Sequence, residues 1–341
     1  PASTRHIMGR VGDHGEVMAV IVTASEKLPL ADLWISEMRK LLPEVVSIYH
    51  NVQSHKGNAI LGKEIHHLWG KKTLTSSLCG LAFEVSPFSF FQVHKPQAEL
   101  LYEKALAYAD LHGGETVIDA YCGTGTISLC LAQKAGRVIG IEIVKEAIED
   151  AKKNAAFNHI ENAEFYAADA GEFMPKLYQE GLRPDVIVMD PVRAGCSETV
   201  LSAAAGMQPS RIVYVSCNVA TFARDAKILA GLGYTVKEVT PVDMFPQTMH
   251  VETVALLQEK NNKYRKSVYV RAFYEVIIIR EAYEKPGFLI GKHICFLNLL
   301  RKTESPKMTA GLNGGSDVGD VTLDAKETAP YPAYQMKDDF L

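Results

Sequence analysis

Apolar positions along the chain change their spacing twice. In residues 1–90, "EVMAVIVTA" (16–24) and "VVSIYHNV" (45–52) are short β-rich runs, and "LADLWISEMRKLL" (30–42) between them repeats at helical spacing. "KKTLTSSLCGLAFEVSP" (71–87) reads as a further hairpin, so this zone is expected to be a small α+β domain. From residue 95 the pattern becomes a regular alternation. Strands are predicted at 116–121, 137–143, 163–169, 185–190, 211–217, 234–243 and 251–258, with helical patterns in the gaps. In one of these, "KEAIEDAKKNAAFN" (145–158), Ile148, Ala151 and Ala155 share a face. The alternation predicts an α/β fold, a doubly wound and mostly parallel seven-stranded sheet. The last two predicted strands are joined without a helix, so the final one is expected to run antiparallel. After residue 258 the pattern is lost. "KNNKYRKS" (260–267) is basic, "TESPKMTAGLNGGSDVGDV" (303–321) is glycine-rich, and residues 259–341 are expected to form a partly disordered extension with no assigned role.

Composition narrows the class. The chain has 341 residues, 47% hydrophobic and 22% charged, which excludes a disordered protein and allows one large or two ordinary domains. The net charge of −4 lacks the basic excess of many nucleic-acid binders, although charge can be local. The six cysteines form no close pair, so neither a zinc site nor a disulfide framework is indicated, and a reducing cytoplasm is expected. The longest apolar run, 288–300, is too short for a span and carries Lys292 and His293. No metal, membrane partner or signal peptide is expected.

The first chemical motif is "VIDAYCGTGTISL" (117–129), where a strand ends at Asp119 and a turn with Gly123 and Gly125 leads into a helix. Glycines here let the backbone approach a ligand closely. Alone, a GxG turn is also an ordinary strand–helix connection. The next strand adds Glu142 at its end, about 20 residues on, where an acid can accept both hydroxyls of a ribose. The D-x-x-C-G-x-G turn followed by G-x-E resembles the Rossmann-like class I S-adenosylmethionine-dependent methyltransferases. Two more polar tips, Asp190 in "VMDPVRAG" (188–195) and Cys217 in "RIVYVSCNVATFARD" (211–225), fall on the same predicted edge. Asp190 alone is as easily a loop acid or a helix cap.

Most lone cysteines are packing. Cys217 differs because it ends a strand just before a helix N-terminus, which is expected to lower its thiol pKa from about 8.5. Methyl transfer to oxygen or nitrogen needs no covalent nucleophile, whereas C5 of uracil is a poor nucleophile until a thiolate adds at C6. Such chemistry also needs a base for the C5 proton. Glu252, beside His250 in "DMFPQTMHVETVAL" (243–256), opens the last predicted strand and is the candidate.

Five motifs, "SFFQVHKPQAELLY" (89–102), "DAYCGTGT", "MDPVRAG", "YVSCNVATFARD" and "DMFPQTMHVE", occur in this order and resemble the RNA uracil-5-methyltransferase family, which makes 5-methyluridine in tRNA and ribosomal RNA. The resemblance implies Cys217 as nucleophile and Glu252 as proton-abstracting base. It implies S-adenosylmethionine contacts at Gln92, Tyr121, Glu142 and Asp190, with Gly123 and Gly125 shaping the cofactor turn. Arg193 would support the acid loop or the RNA backbone. His94 and Val192 depart from residues common in the family, and neither change removes a reactive group. Family members usually carry an N-terminal OB-like domain, sometimes with an iron–sulfur cluster, and both would precede Pro1. Phe88, Phe90 and Phe91 are candidate stacking groups for a flipped base. "HIMGRVG" (6–12) and "HNVQSHKGNAILG" (50–62) resemble the ribosomal-RNA members, so 23S rRNA is the expected partner of a monomeric enzyme, with tRNA as the alternative. The division expected is 1–90 for RNA contact, 91–258 for catalysis and 259–341 for the extension. Rival readings are a small-molecule or N-methyltransferase, which would not need Cys217, and an RNA-binding fragment with little turnover.

Overall fold

The computed structural model describes residues 4–55 and 59–260. Its first elements are β1 (Thr4–Val11), β2 (Val17–Thr23), α1 (Ala31–Leu41), β3 (Val45–Val52) and β4 (Glu64–Gly70), in a sheet of order β1-β2-β3-β4. β2 and β3 are parallel and linked through α1, while β1 and β4 flank them antiparallel. Alternate residues of the central strands feed opposite faces. Met18, Val20, Val22 and Tyr49 pack on one side with Leu74, and Ala19, Ile21, Val45 and Ile48 pack on the other beneath Trp34, Ile35 and Met38 of α1. The edge strands β1 and β4 were not expected from the sequence. Each has exposed positions along its whole length, so neither carries a strong apolar signal.

β5 (Leu74–Leu78) and β6 (Leu81–Val85) form the expected hairpin, turning at Cys79 and Gly80, both with positive φ (51° and 77°). Then follow α2 (Lys95–Ala109), β7 (Thr116–Asp119), α3 (Thr126–Ala132), β8 (Arg137–Glu142), α4 (Lys145–Phe157), β9 (Ala163–Ala167), α5 (Ala170–Gln179), β10 (Val186–Met189), α6 (Glu198–Gly206), β11 (Arg211–Ser216), α7 (Val219–Gly231), β12 (Tyr234–Val242) and β13 (Glu252–Glu259). The seven strands have the order β12-β13-β11-β10-β7-β8-β9. All pairings are parallel except those of β13, which runs antiparallel to both β11 and β12. The fold is therefore the doubly wound α/β sheet with a reversed last strand that the alternation predicts. Val117, Val138, Val186, Val188, Val213, Val215 and Val254 supply the sheet's share of one continuous core. Strands covered on both faces read as unbroken apolar runs, and that is why their limits were legible.

Asn154 of α4 and Asn158, its C-cap, fasten the hairpin to this sheet. The Ala82 amide donates to Asn158 Oδ1 and the Glu84 amide to Asn154 Oδ1, each at 2.9 Å, while Asn154 Nδ2 donates to the Thr124 carbonyl at 3.1 Å. Side-chain amides here continue a ladder that no strand provides.

Because β13 runs backwards, its first residue lies on the edge where the parallel strands end. That edge therefore collects the loops after β7, β8, β10 and β11 together with the start of β13. The remainder of the sequence, 261–341, lies outside the described residues, and with it the expected C-terminal extension.

Candidate active site

The turn after β7 is built around a buried acid. Asp119 accepts a 2.6 Å hydrogen bond from Ser128 Oγ in α3 and a longer one from the Tyr121 amide, and burial pushes its carboxyl up to about 6. This tie holds the turn against the helix that follows it. Gly123 (φ +52°) has no neighbouring atom within 4 Å of the place a Cβ would take, so the backbone is open to a ligand there. Gly125 (φ +84°) has the opposite role: a Cβ would stand 3.1 Å from Ala151 and 3.2 Å from Phe165, so it permits close packing. At the end of β8, Glu142 Oε2 accepts from the Gly123 amide at 3.3 Å and Oε1 from the Val144 amide at 3.0 Å. The acid is thereby aimed along the open side of the turn, with each oxygen keeping a further lone pair.

The segment before α2 reaches this turn, with Thr124 Oγ1 and the Phe90 carbonyl 3.5 Å apart. Gln92, buried at 9% exposure, belongs to this segment. The neighbouring aromatics divide. Phe91 packs on Phe83 with ring centroids 5.9 Å apart, whereas Phe88 and Phe90 are exposed. Tyr121 is half-buried, and burial, with the Cys196 thiol adding to it, pushes its phenol up.

The second cluster follows from strand register. Ser216 of β11 pairs with Thr253 of β13, so one step further Cys217 stands across from Glu252. Asp190 follows β10, the parallel neighbour of β11. Glu252 is buried, and desolvation pushes its carboxyl up to about 7. Asp190 is pushed up to about 8 by burial, with the charges of Glu252 and Asp119 adding to it. The Cys217 thiol is raised as well, first by burial and then by Glu252 and Asp190, while Arg193 opposes the rise. This corrects the expectation that the helix N-terminus lowers the thiol. Asn218 caps α7 through its own side chain, which takes the Ala220 amide at 3.0 Å, and two acids face the sulfur.

The loop carrying Asp190 and Arg193 bridges the others. Arg193 donates from Nη2 to His250 Nδ1 at 3.0 Å, and its carbonyl accepts from Asn218 Nδ2 and Thr221 Oγ1 at 3.4 and 3.3 Å. Ser128, Tyr214, Arg224 and Asp225 are parts of this framework that sequence reasoning missed. The signal for the last two was present in "FARD", the end of the Cys217 run, but their targets lie on a loop distant in sequence. An open groove of about 440 Å³ between α2 and β12, lined by Leu100, Lys104 and Pro241, contains none of the candidate residues. Among the described residues no cluster of histidine, cysteine or acidic side chains suits a metal ion, and no helix is long and apolar enough to cross a membrane.

The family model described as tRNA (uracil-5-)-methyltransferase matches residues 81–260. The chain belongs to this family. The match takes in all eight candidate residues, from Gln92 to Glu252, and leaves out the first sheet. Relatives at high identity include proteins named "Uncharacterized RNA methyltransferase" in Oceanobacillus iheyensis, 51% identical over 257 residues, and in Halalkalibacterium halodurans, 48% identical over 258 residues. In each case the alignment covers 75% of this chain and 56% of the relative. The chain thus spans little more than half the length of these curated relatives. Among solved structures, the Pyrococcus abyssi tRNA (uracil-54, C5)-methyltransferase in complex with S-adenosyl-L-homocysteine is 33% identical with a TM-score of 0.60, over 74% of this chain and 59% of that one.

Proposed function

We propose that this chain methylates C5 of a uridine in RNA, using S-adenosylmethionine as methyl donor and Cys217 as a covalent nucleophile. The observation that carries the reading is the register that sets Cys217 against Glu252, on the edge that also holds the Gly123 turn and Glu142. The residues fit the donor: Gly123 is open, Glu142 is aimed along the turn, and Gln92 lies in the buried segment that reaches it. Glu142 would hold the ribose, Gln92, Tyr121 and Asp190 would complete the contacts, and Gly125 would act by letting α3 pack closely. When bound, S-adenosylmethionine supplies an electrophilic methyl group.

The protein's own steps follow from the second cluster. Cys217, once deprotonated, adds to C6 of the uracil and moves electron density to C5. After C5 has been methylated, Glu252 removes the C5 proton, the C5–C6 double bond reforms and the C6–S bond breaks. A carboxylate held near pH 7 can both take that proton and release it. The target must leave its stack to reach Cys217, and exposed Phe88 and Phe90 offer stacking surfaces at the entrance. In this reading residues 91–258 are catalytic and residues 1–90 contact RNA, in a monomeric cytoplasmic enzyme.

The target we propose first is 23S rRNA, on the first-zone motifs. A second reading is tRNA, favoured by the similarity to the Pyrococcus abyssi tRNA enzyme. The test is incubation with S-adenosylmethionine and 5-fluorouridine-substituted fragments of each RNA. Fluorine cannot leave C5 as a proton, so a protein–RNA adduct accumulates on a denaturing gel and is lost in Cys217→Ala. The RNA that gives the band identifies the substrate class. Methylation of either RNA that persists in Cys217→Ala would overturn the covalent reading.

A further inference from the structure

The loop after β10 carries Asp190 and Arg193, and it is held from behind by two adjacent residues of α7. Asp225 is fully buried. Its Oδ2 accepts the Cys196 amide at 2.7 Å and the Tyr214 hydroxyl at 2.6 Å, and its Oδ1 accepts from Arg224 Nε at 2.7 Å. Arg224 then reaches over the loop, where Nη2 donates to the carbonyls of Ala194 at 2.9 Å and Cys196 at 3.1 Å. Gly195 lies under this clasp at φ +79°, and a Cβ there would come within 2.6 Å of both Arg224 Nη2 and Asp225 Oδ2. The clamp therefore requires glycine at 195 for two reasons, conformation and space.

What the clamp fixes is the position of Arg193. Its carbonyl is tied to Asn218 and Thr221 at the start of α7, and its guanidinium to His250. Of the charged groups facing Cys217, Glu252 comes from β13 and Asp190 and Arg193 from this loop, so Arg193 is the cation among them. His250, on the loop before β13, meets Arg193 through Nδ1. Arg224 is half exposed and touches none of these acids, so its removal opens no core.

We infer that Arg224 and Asp225 are positioning residues, a clamp on the Asp190–Cys196 loop that holds Arg193 at the start of α7, where its carbonyl meets Asn218, the chain neighbour of the proposed nucleophile Cys217. The inference rests on the proposed role of Cys217, and it adds a requirement that the nucleophile and base do not themselves reveal. Removing Arg224 takes the cation from a fully buried carboxylate, so a loss of stability is read beside the loss of geometry. A misplacement of about 1 Å at a reacting group can cost on the order of a hundredfold in rate.

The test uses Arg224→Gln, Arg224→Lys and Gly195→Ala in the full chain. Three readouts are compared: melting temperature, S-adenosylhomocysteine affinity, and the pH dependence of Cys217 alkylation by iodoacetamide, followed on its own peptide by mass spectrometry. Arg224→Gln should move the alkylation midpoint upward by about half a pH unit or more, because the opposing cation is released. Arg224→Lys should recover part of that shift, and Gly195→Ala should reproduce it. Methylation kcat in Arg224→Gln should fall about 10- to 100-fold with KM for RNA nearly unchanged. The inference is overturned if the alkylation midpoint stays at the wild-type value in both Arg224→Gln and Gly195→Ala, or if every loss follows the melting temperature and disappears on cooling. Alkylation needs no RNA. A shifted midpoint in a chain that methylates neither RNA would therefore support the clamp while refuting the proposed substrate.

Discussion

The two halves of the candidate site solve opposite problems. Around the Gly123 turn every acid meets a neutral donor: Asp119 has Ser128, and Glu142 has two backbone amides. Around Cys217 the acids have mostly each other, with Asp190, Glu252 and the thiol all pushed toward their neutral forms and Arg193 the cation that opposes the thiol's rise. The first half gives its acids donors, although burial still pushes Asp119 up to about 6. The second stores unfavourable charge that only chemistry would use, the usual sign of a reacting site.

Substitutions break the comparison in order of size. Cys217→Ala should abolish adduct and methylation, a loss above about a thousandfold, while S-adenosylhomocysteine affinity by calorimetry stays within about twofold. Glu252→Gln should slow release about 100- to 10,000-fold, so that a protein–RNA adduct with ordinary uridine becomes visible on denaturing gels. Rapid release in that variant would remove Glu252 from the role of base. On the receptor side, Glu142→Ala should weaken S-adenosylhomocysteine binding by roughly 1–3 kcal/mol, read by the same calorimetry, and leave Cys217 alkylation unchanged.

The smallest effect is on stability, and it separates the halves by pH. Asp190 and Glu252 titrate at about 8 and about 7 in the fold, above the ordinary carboxyl range. Between about pH 4 and pH 8 the folded chain therefore binds more protons than the unfolded chain, and stability falls as pH rises through that window. Asp190→Asn should make the protein more stable by about 1–2 kcal/mol at pH 8 and change little at pH 4. Urea titrations at the two pH values measure the difference, and an equal change at both would show that Asp190 carries no shifted proton.

How much of this was legible depended on whether the cause was local. The seven strands of the large sheet were placed within one or two residues: the inner five are buried on both faces and leave apolar runs, while the edge strands β9 and β12 followed from the strand–helix alternation. β1 was hidden by Arg5, His6, Gly9 and Arg10, and β4 by Glu64, His66 and His67, all compatible with an edge strand but not diagnostic of one. Cys217 and Glu252 could be found because each adjoins a strand end. The direction of the thiol's pKa could not, since it is set by Asp190 and Glu252 on other strands and by Asn218 claiming the cap. Arg224 and Asp225 were invisible for the same reason: their partners lie about thirty residues upstream.

The reversed strand β13 also decides which parts of the site can change length. Glu252 is located by the ladder that continues to Glu259, with Thr253 locked between Ser216 and Pro241. A residue lost inside that ladder would turn the acid to the other face of the sheet. A residue lost or gained between Asp243 and Met249 would leave the ladder, and with it Glu252, where they are. Within that connection Met244 is held in the core and His250 by Arg193, so the freedom in length and composition falls on the exposed residues 246–249, and change there leaves Glu252 in place.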